Sequence, residues 1–212
     1  SVLVVLLLAA GCQTLQIEDA RFEKATDWRS DGGSSGRERM ANVSVQPPLV
    51  EAWKYNASAG FGPGSPLIVN DAVLVATRKG EVHAVRIDTG KKIGLKSFGQ
   101  SIEGPLLVHN GTAFIPNAHG PNVLTAFDIE RARRLWTAKG VPFETAPVNA
   151  GRYLVAVDHV ANVRAFEPDT GEETWTYALG KRASGKTSPL NLSGNRVFVV
   201  NDKGDAVMLN GD

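Results

Sequence analysis

Few residues of this chain could perform chemistry, and one segment among them matches a known phosphate-binding pattern. Gly180 to Thr187 reads GKRASGKT, which fits the pattern G-x-x-x-x-G-K-[ST] of a nucleotide-binding loop. That mechanism requires a helix that begins near the lysine, so that backbone N–H groups face the phosphate. Here Pro189 and a short apolar run follow instead, and they predict a strand. We therefore interpret the segment as a connection between strands and expect no nucleotide binding.

Other candidate catalytic and metal sites lack the spacing that their chemistry needs. The four histidines occupy unrelated positions and are expected in loops or at the surface, so no metal-binding pair is predicted. His159 follows Asp158 directly, but no nucleophile can be named to complete a triad with them. Glu172 and Glu173 lie at a predicted turn, which favours a solvated face over a pair of acid–base carboxylates. We predict no catalytic residue, no metal and no cofactor.

The composition of the chain is that of an ordinary globular protein. Its 212 residues are 42% hydrophobic and carry a net charge of +1, which gives no support for nucleic-acid binding. A single cysteine excludes an internal disulfide framework and any zinc site with several cysteines. No apolar run reaches the roughly 18 residues of a membrane-spanning helix.

Cys12, the single cysteine, follows an apolar run from Val2 to Ala10. A short apolar segment that ends in small residues is typical of an export signal and its cleavage site. The ending AAGC resembles the bacterial lipoprotein box, which implies a lipid on Cys12 and, with Gln13 after it, passage to the outer membrane. The alternative is a short buried strand with a core cysteine. We interpret residues 1–12 as a truncated lipoprotein signal, because a basic leader and an initial Met are missing.

Residues 13–46 separate this signal from the rest of the chain. They show no hydrophobic periodicity, are rich in charge and include the run DGGSSG, so they predict a flexible polar tether. Pro47 and Pro48 close the tether. The following segment, LVEAWKY at residues 49–55, predicts an isolated strand that carries Trp53.

The elements that would position any site come from a segment of about 40 residues that recurs along the chain. In each copy a proline precedes an apolar run, a Gly/Asn turn, a second apolar run and a third. A fixed period with several strands per copy is the signature of a β-propeller. We predict an all-β fold of four-stranded antiparallel blades over residues 47–212, with about four blades present. The copies open at Pro66, Pro105, Pro147 and Pro189.

Strand positions within a blade follow from alternating and β-branched residues. In the third copy we expect strands at about 147–149, 153–158, 163–167 and 173–177. Trp53, Trp136 and Trp175 are expected in the outer strands of successive blades, where their rings fill the space between blades rather than bind a ligand. The last copy stops after its third strand, which leaves an unpaired edge near Met208. Either the sequence lacks the C-terminal half of the protein or two copies associate, and we favour truncation, which agrees with the missing start.

The turn sequence that precedes the outer strand carries a family resemblance. The pattern D-T-G followed by Trp resembles the pyrroloquinoline-quinone-type propeller repeat, over about residues 47–212. Quinoprotein dehydrogenases, a lipoprotein of the outer-membrane β-barrel assembly machinery and various sensor domains share this repeat. A lipoprotein box, a polar tether and repeats, in that order, are similar to the assembly lipoprotein family, which implies an eight-bladed ring of which this chain holds the first half. The resemblance is carried by Asp88-Thr89-Gly90, by Asp169-Thr170-Gly171 with Trp175, and more weakly by Asp128-Ile129-Glu130 with Trp136.

The resemblance implies a non-enzymatic scaffold that is lipid-anchored at the periplasmic face of the outer membrane. Its implied partner is the periplasmic part of an outer-membrane β-barrel assembly protein. In a propeller, the connections between blades and the loops between second and third strands lie on one face, and such loops commonly bind partners. The alternative for the most basic of these loops is a solvated surface. The candidate partner-binding residues are Lys181, Arg182, Lys186, Arg78, Lys79 and Lys203.

Two other functions share the repeat and stay open at this stage. A quinone-dependent dehydrogenase of this type holds its cofactor with adjacent cysteines, a Ca²⁺ ligand set and a catalytic Asp, whereas this chain has one cysteine. A sensor propeller would retain a small ligand.

Overall fold

The structure of the protein is a computed structural model, and it describes residues 14–34, 36–41, 44–62, 64–102, 104–143, 145–180 and 190–210. Over these ranges the regular elements are fifteen β-strands, arranged in four antiparallel sheets. No helix in the same ranges has the length and apolar character to cross a membrane. The predicted all-β propeller fold is therefore confirmed.

Each sheet is one blade, and consecutive strands of the chain are neighbours within it. Blade 1 consists of β1 Leu67–Val69, β2 Ala72–Ala76, β3 Glu81–Arg86 and β4 Lys92–Ser97. Blade 2 consists of β5 Leu107–His109, β6 Thr112–Pro116, β7 Asn122–Asp128 and β8 Arg133–Lys139. Blade 3 consists of β9 Val148–Ala150, β10 Tyr153–Val157, β11 Asn162–Phe166 and β12 Glu173–Ala178. Blade 4 has three described strands, β13 Asn191–Ser193, β14 Arg196–Val200 and β15 Ala206–Asn210.

Blade 3 shows how closely local sequence determines these strands. Its four strands begin and end within one residue of the predicted bounds, because Gly151 and Gly171 supply the positive φ angles, +64° and +73°, that their tight turns need. A register shift separates the third and fourth strands at the same place in blades 1, 2 and 3, between Ala84 and Val85, Ala126 and Phe127, and Ala165 and Phe166. Such a bulge increases the local twist of a sheet.

Blades 1, 2 and 3 each bury one face against the blade that follows in sequence, and we call this the forward face of a blade. Leu74 of β2, Phe114 of β6 and Val155 of β10 occupy the same position of the forward face in blades 1, 2 and 3. They are 1%, 2% and 0% exposed, and each lies in a cluster with buried residues of the next blade. The opposite, backward face of blades 2, 3 and 4 packs against the preceding blade.

Two tryptophans pack on the turn between third and fourth strands of the blade that follows them in sequence. Trp136 of β8 donates from Nε1 to the carbonyl oxygen of Pro168 in blade 3, at 2.8 Å. Its ring covers Gly171, where an added Cβ would lie 2.4 Å from the ring. Trp53 makes the same pair of contacts with blade 1, through the Ile87 carbonyl at 2.9 Å and over Gly90. Only glycine leaves room for the ring at these turns.

Residues 14–34 differ from the predicted flexible tether, because they pack against the blades. Thr14 forms a parallel bridge with Leu95 of β4. Leu15, Ile17 and Ala20 are 0%, 6% and 0% exposed and belong to the core between blades 1 and 2. Three spaced apolar residues are too few to show a period in the sequence, but they gain enough burial from the blades to fix the segment.

The segment continues along the inner strands of the blades. Trp28 pairs with Ile68 of β1, with N–O distances of 2.9 and 2.8 Å, and the amide of Val108 in β5 donates to the carbonyl of Arg29 at 2.7 Å. The Arg29 side chain is 5% exposed and contacts the carboxylate of Asp27 at 2.6 Å. Further along, the Arg37 guanidinium donates to the Leu190 carbonyl just before β13, at 2.7 Å. One segment thus connects blades 1, 2 and 4.

Residues 49–57 also differ from expectation, because no strand of the described chain pairs with them. The segment is held by side chains instead: besides Trp53, the Tyr55 hydroxyl lies 2.7 Å from Nδ1 of His83. Nε2 of His83 lies 3.3 Å from a carboxylate oxygen of Glu81. Partial burial, together with Glu81, raises the pKa of Tyr55. His83 is 4% exposed within β3, and His109 is half-buried at the end of β5, so the expectation that all histidines lie in loops or at the surface is wrong for these two.

Candidate partner-binding face

The predicted loop face is formed by the connections between blades and by the turns between second and third strands. In blades 1, 2 and 3 a backbone hydrogen bond joins the two kinds of loop directly. The amides of Arg78, Ala118 and His159 donate to the carbonyls of Gly60, Ser101 and Pro142, at 2.9, 3.0 and 2.9 Å. The expectation that both sets of loops share one face is confirmed for these three blades.

A buried polar residue at the end of each second strand fixes the turn that follows. Asp158 is 2% exposed, and its Oδ1 accepts from the amides of Val160 and Asn162 at 3.0 and 2.8 Å. Asn201 is 6% exposed and accepts in the same way from Lys203 and Asp205, at 3.0 and 2.9 Å. Such side-chain bonds to the backbone define a turn locally. The exposed side chains at the tips therefore project from fixed positions.

Thr77 and Asn117 occupy the same position in blades 1 and 2. The Thr77 hydroxyl lies 3.3 Å from the amide of Glu81, and the Asn117 side chain donates to the Asn122 carbonyl at 2.9 Å. The four residues differ in type, which explains why the sequence shows no shared motif at this position. Only the alignment of the blades identifies them as equivalent.

The six predicted partner-binding cations do not form one patch among the described residues. Arg78 and Lys79 are neighbours and exposed at the turn of blade 1, where the Lys79 ammonium donates to the Ser58 carbonyl at 2.9 Å. Lys203 is exposed at the turn of blade 4, with the turns of blades 2 and 3 between. The remaining three predicted cations, Lys181, Arg182 and Lys186, lie outside the described residues.

The phosphate-loop pattern falls largely on the same undescribed segment, but the residues after it are described. Leu190 is buried, and β13 begins at Asn191. A strand therefore stands where a phosphate-binding loop would place its helix. The predicted first strand of blade 4 is confirmed.

The centre of the loop face carries residues that sequence reasoning missed. His119 and His159 are exposed at the turns of blades 2 and 3, and Val160 beside the latter is 55% exposed. Val160 lies in a turn that Asp158 fixes, so its position on the loop face is defined. The sequence signal that could have identified Val160 is its position two residues after Asp158.

A buried arginine supports the connection between blades 2 and 3. Arg164 of β11 is 8% exposed and lies over the rings of Phe143 and Phe166, with its Cζ 5.5 and 5.1 Å from their centroids. Its Nε donates to the Glu173 carboxylate at 3.1 Å. That hydrogen bond holds the pKa of Glu173 below its ordinary value, against partial burial. The contact with Phe143 fixes the connection at the loop face.

Comparison with known proteins agrees with this architecture. The sequence pattern of the family described as Outer membrane protein assembly factor BamB matches residues 39–149 and 138–212. The assembly factor BamB of Burkholderia pseudomallei (strain K96243) is 30% identical over 177 residues, which are 80% of this chain and 42% of that protein. The chain thus spans less than half the length of this curated relative.

Solved structures show the same fold. The crystal structure of BamB from Moraxella catarrhalis matches 76% of this chain and 49% of its own, with a TM-score of 0.60 and 17% identity. Quinohemoprotein alcohol dehydrogenase from Comamonas testosteroni matches 74% of this chain and 28% of its own, with a TM-score of 0.60 and 18% identity. At such identities these likenesses show the propeller fold alone. The match of the family pattern, which covers most of the propeller, shows that this chain belongs to the outer membrane protein assembly factor BamB family.

Proposed function

We propose that this protein is a non-enzymatic scaffold in outer-membrane protein assembly. Its loop face binds the periplasmic part of an outer-membrane β-barrel assembly protein. The observation that carries the proposal is the match of residues 39–149 and 138–212 to the assembly-factor family. Because the chain spans 42% of the curated relative, the proposal concerns the part of the binding face that these blades supply.

The geometry of the loop face supports a binding role. Its turns are fixed by buried side chains such as Asp158 and Asn201, so little conformational entropy is lost when a partner binds. Arg78 and Lys79 at one turn attract acidic groups, and the exposed Val160 supplies apolar area. Cations at a rim of this kind raise the association rate and guide orientation more than they raise affinity.

Charge reversal at the loop face tests the partner. The variant Arg78→Glu/Lys79→Glu should weaken binding of the purified periplasmic part of the β-barrel assembly protein by about tenfold or more, chiefly through a slower association rate. Surface-immobilised partner and a titration at two salt concentrations give both the rate and its ionic-strength dependence.

Blade 1 also supplies a matched control. Lys91→Glu/Lys92→Glu changes the net charge of the chain by the same amount. Its two residues lie at the turn between third and fourth strands, at the other end of the sheet. The affinity of this control for the partner should stay within about twofold of that of the unchanged protein, since salt screens charges that lie far from the loop face. Equal weakening by both variants would mean that net charge, and not the loop face, drives the association.

The proposal includes a lipid anchor on Cys12, which lies outside the described residues. The anchor would hold the protein at the periplasmic face of the outer membrane and raise the effective concentration of the propeller near its partner. Replacement Cys12→Ala should leave the thermal unfolding of the propeller unchanged and release the protein into the soluble periplasmic fraction. Retention of the variant in the membrane fraction would refute the anchor and leave the binding face to be judged separately.

A non-enzymatic role also predicts that the protein takes up no redox cofactor. Titration with pyrroloquinoline quinone and Ca²⁺ should give no stoichiometric binding, and no dye-linked oxidation of alcohols or sugars should follow. Saturable binding of one quinone per chain, with substrate turnover, would contradict the scaffold proposal and favour a dehydrogenase. A small ligand retained through purification would instead favour a sensor.

A further inference from the structure

Charge is distributed unevenly over the outer part of the blades, which consists of the fourth strand and the turn before it. In blades 1 and 2 this part, residues 86–97 and 128–139, contains eight Lys or Arg and three Asp or Glu. In blade 3 the equivalent residues 167–178 contain four Asp or Glu and no Lys or Arg. The net charge of the whole chain is only +1. Cations are therefore concentrated on residues 86–97 and 128–139, which we call the basic edge.

The two halves of the basic edge adjoin each other. Ile93 of β4 and Ala132, just before β8, both pack against the core between blades 1 and 2. Lys96 of β4 also reaches blade 2, where its Nζ lies 5.9 Å from the centroid of the Phe127 ring. The cations of both blades thus belong to one continuous surface.

Protection of the strand edges does not explain the sign of this charge. The fourth strands β4, β8 and β12 are end strands of their sheets, and charged side chains at such strands prevent pairing with other chains. Negative charge meets this need equally well, as Glu172 and Glu173 do at β12. Positive charge on two neighbouring blades instead indicates an anionic surface that the two blades face together.

Two of the three carboxylates at the basic edge are held by arginines. Asp128 is 6% exposed, and one of its oxygens accepts from the Arg131 guanidinium at 3.0 Å. Glu130 accepts from Nε of Arg21 at 2.8 Å, and this hydrogen bond lowers the pKa of Glu130 below its ordinary value. The charge that the edge presents to solvent therefore comes mainly from lysine and arginine. The exposed cations include Lys91, Lys92, Arg133 and Arg134.

The N-terminal segment crosses the basic edge. Thr14 forms a parallel bridge with Leu95 of β4. A few residues later the amide of Ile17 donates to the carbonyl of Ile129, in the turn of blade 2, at 2.8 Å. The residues that follow Cys12 in sequence thus pass from the fourth strand of blade 1 to the turn of blade 2. A lipid on Cys12 would be attached beside the same cations.

An exposed aromatic side chain adds apolar area beside this surface. Phe22 is 67% exposed and lies next to Glu130 in the turn of blade 2. Within the edge itself, Ile87 and Leu135 are 39% and 38% exposed. Cations around exposed apolar side chains are typical of surfaces that bind at the interface of an anionic bilayer.

We propose that the basic edge of blades 1 and 2 binds the surface of a bilayer that contains anionic phospholipid. Its lysines and arginines lie against the lipid phosphates, and Phe22 contacts the headgroup region. At 0.1 M salt this attraction decays over about 10 Å, so the cations of the loop face do not contribute to it. The inference rests on the proposed anchor for the location of the protein at a membrane, but the binding itself does not require a lipid on Cys12.

A bilayer fits the basic edge better than an acidic protein does. The acidic outer part of blade 3 in a second copy would have complementary charge, but nothing brings it to this surface. The N-terminal segment, in contrast, crosses the basic edge directly after the proposed lipid site. Juxtaposed lipidation and basic residues act together, because one supplies apolar insertion and the other attraction to anionic headgroups.

Sedimentation with vesicles tests the inference on the full chain with Cys12→Ser, which carries no lipid. Binding to phosphatidylcholine vesicles that contain about one quarter phosphatidylglycerol should be at least tenfold stronger than binding to pure phosphatidylcholine at about 50 mM salt. The difference should largely disappear near about 500 mM salt. Apolar residues 2–10 are present in every sample, so the comparison between the two lipids measures the charged surface.

Matched variants locate the contact. Lys91→Glu/Lys92→Glu and Arg133→Glu/Arg134→Glu should each weaken binding to the anionic vesicles by at least tenfold. Arg78→Glu/Lys79→Glu changes the net charge equally at the loop face and should stay within about twofold. Phe22→Ser should weaken binding by about threefold or more. Circular dichroism melts confirm that the variants fold.

The partner experiment uses the same variants with the opposite expectation, so the two proposals can fail separately. The proposed partner should respond to Arg78→Glu/Lys79→Glu and not to Lys91→Glu/Lys92→Glu, whereas the vesicles should do the reverse. Loss of the first response alone would refute the partner-binding face and leave the membrane contact standing.

Four results would overturn the inference. Equal binding to both kinds of vesicle would mean that charge does not drive the contact. Equal weakening by the loop-face and basic-edge variants would assign the effect to net charge. Oligomers in light scattering that Lys91→Glu/Lys92→Glu dissolves, without vesicle binding, would make a second copy the occupant. Unchanged binding of Phe22→Ser would refute the contact of that ring with the headgroups.

Discussion

Blades 2 and 4 carry a phenylalanine at the same register position, and the two side chains have different surroundings. Phe114 in blade 2 is 2% exposed, because blade 3 covers it, whereas Phe198 in blade 4 is 42% exposed. The strands on which they lie have the same length and pair with their neighbours in the same way. The forward face of a blade is therefore buried by the blade that follows it. The stability of the propeller depends on the interfaces between neighbouring blades.

The largest effect should come from truncating the covered phenylalanine. Phe114→Ala is expected to lower the free energy of unfolding by about 3–5 kcal/mol, since it leaves a cavity against Trp136 and blade 3. Phe198→Ala should cost less than about 1 kcal/mol, because the side chain is already exposed. Urea unfolding followed by tryptophan fluorescence measures both. Similar losses for the two variants would show that the blade itself, and not its neighbour, stabilises this position.

The N-terminal segment offers a second contrast between covered and uncovered residues. Leu15→Ala should destabilise the protein by about 2–5 kcal/mol, because Leu15 is 0% exposed between blades 1 and 2. Val45→Ala, at a residue 63% exposed, should change stability by less than about 0.5 kcal/mol. Urea unfolding gives the magnitudes, and limited proteolysis reports whether residues 14–34 detach. If residues 14–34 were a flexible tether, Leu15→Ala and Val45→Ala would change the free energy of unfolding equally little.

The smallest of these effects is expected at the turns. Gly171 and Gly194 have similar φ angles, +73° and +62°, but Trp136 covers only the first, and no atom lies within 4 Å of a Cβ placed on the second. Gly194→Ala should cost about 1–2 kcal/mol for the left-handed backbone alone. Gly171→Ala should cost about 1–3 kcal/mol more, because the ring must move. Thermal melts of both variants measure the difference, and equal costs would mean that the tryptophan is not held firmly against the turn.

Local signals were enough to predict the strands of the blades. In blade 3, alternating residues and the glycines at 151 and 171 determine locally where each strand begins and ends. The structure agrees with the predicted bounds within one residue. The sequence could not show that Leu15 or Ile17 is buried, because their burial depends on blades that begin only at Leu67. The placement of His83 beside Tyr55 depends on a distant contact in the same way.

The candidate site was predictable in outline and not in detail. The face followed from the topology that the repeat implies, and the hydrogen bonds between its loops confirm it in blades 1, 2 and 3. The anchors of the turns were not predictable, since Thr77, Asn117, Asp158 and Asn201 share a position and not a residue type. Their common property, a buried polar group that bonds to the following backbone, exists only once the strands are aligned.

The parallel bridge between Thr14 and Leu95 has a consequence for how a lipid on Cys12 would act. One residue separates Cys12 from Thr14, and two steps along the chain reach about 7 Å at most. A lipid there would bring the outer strand of blade 1 to the bilayer surface and would leave the propeller little freedom to rotate. The N-terminal segment would then control the orientation of the molecule on the membrane, so that every copy presents the same side to the lipid.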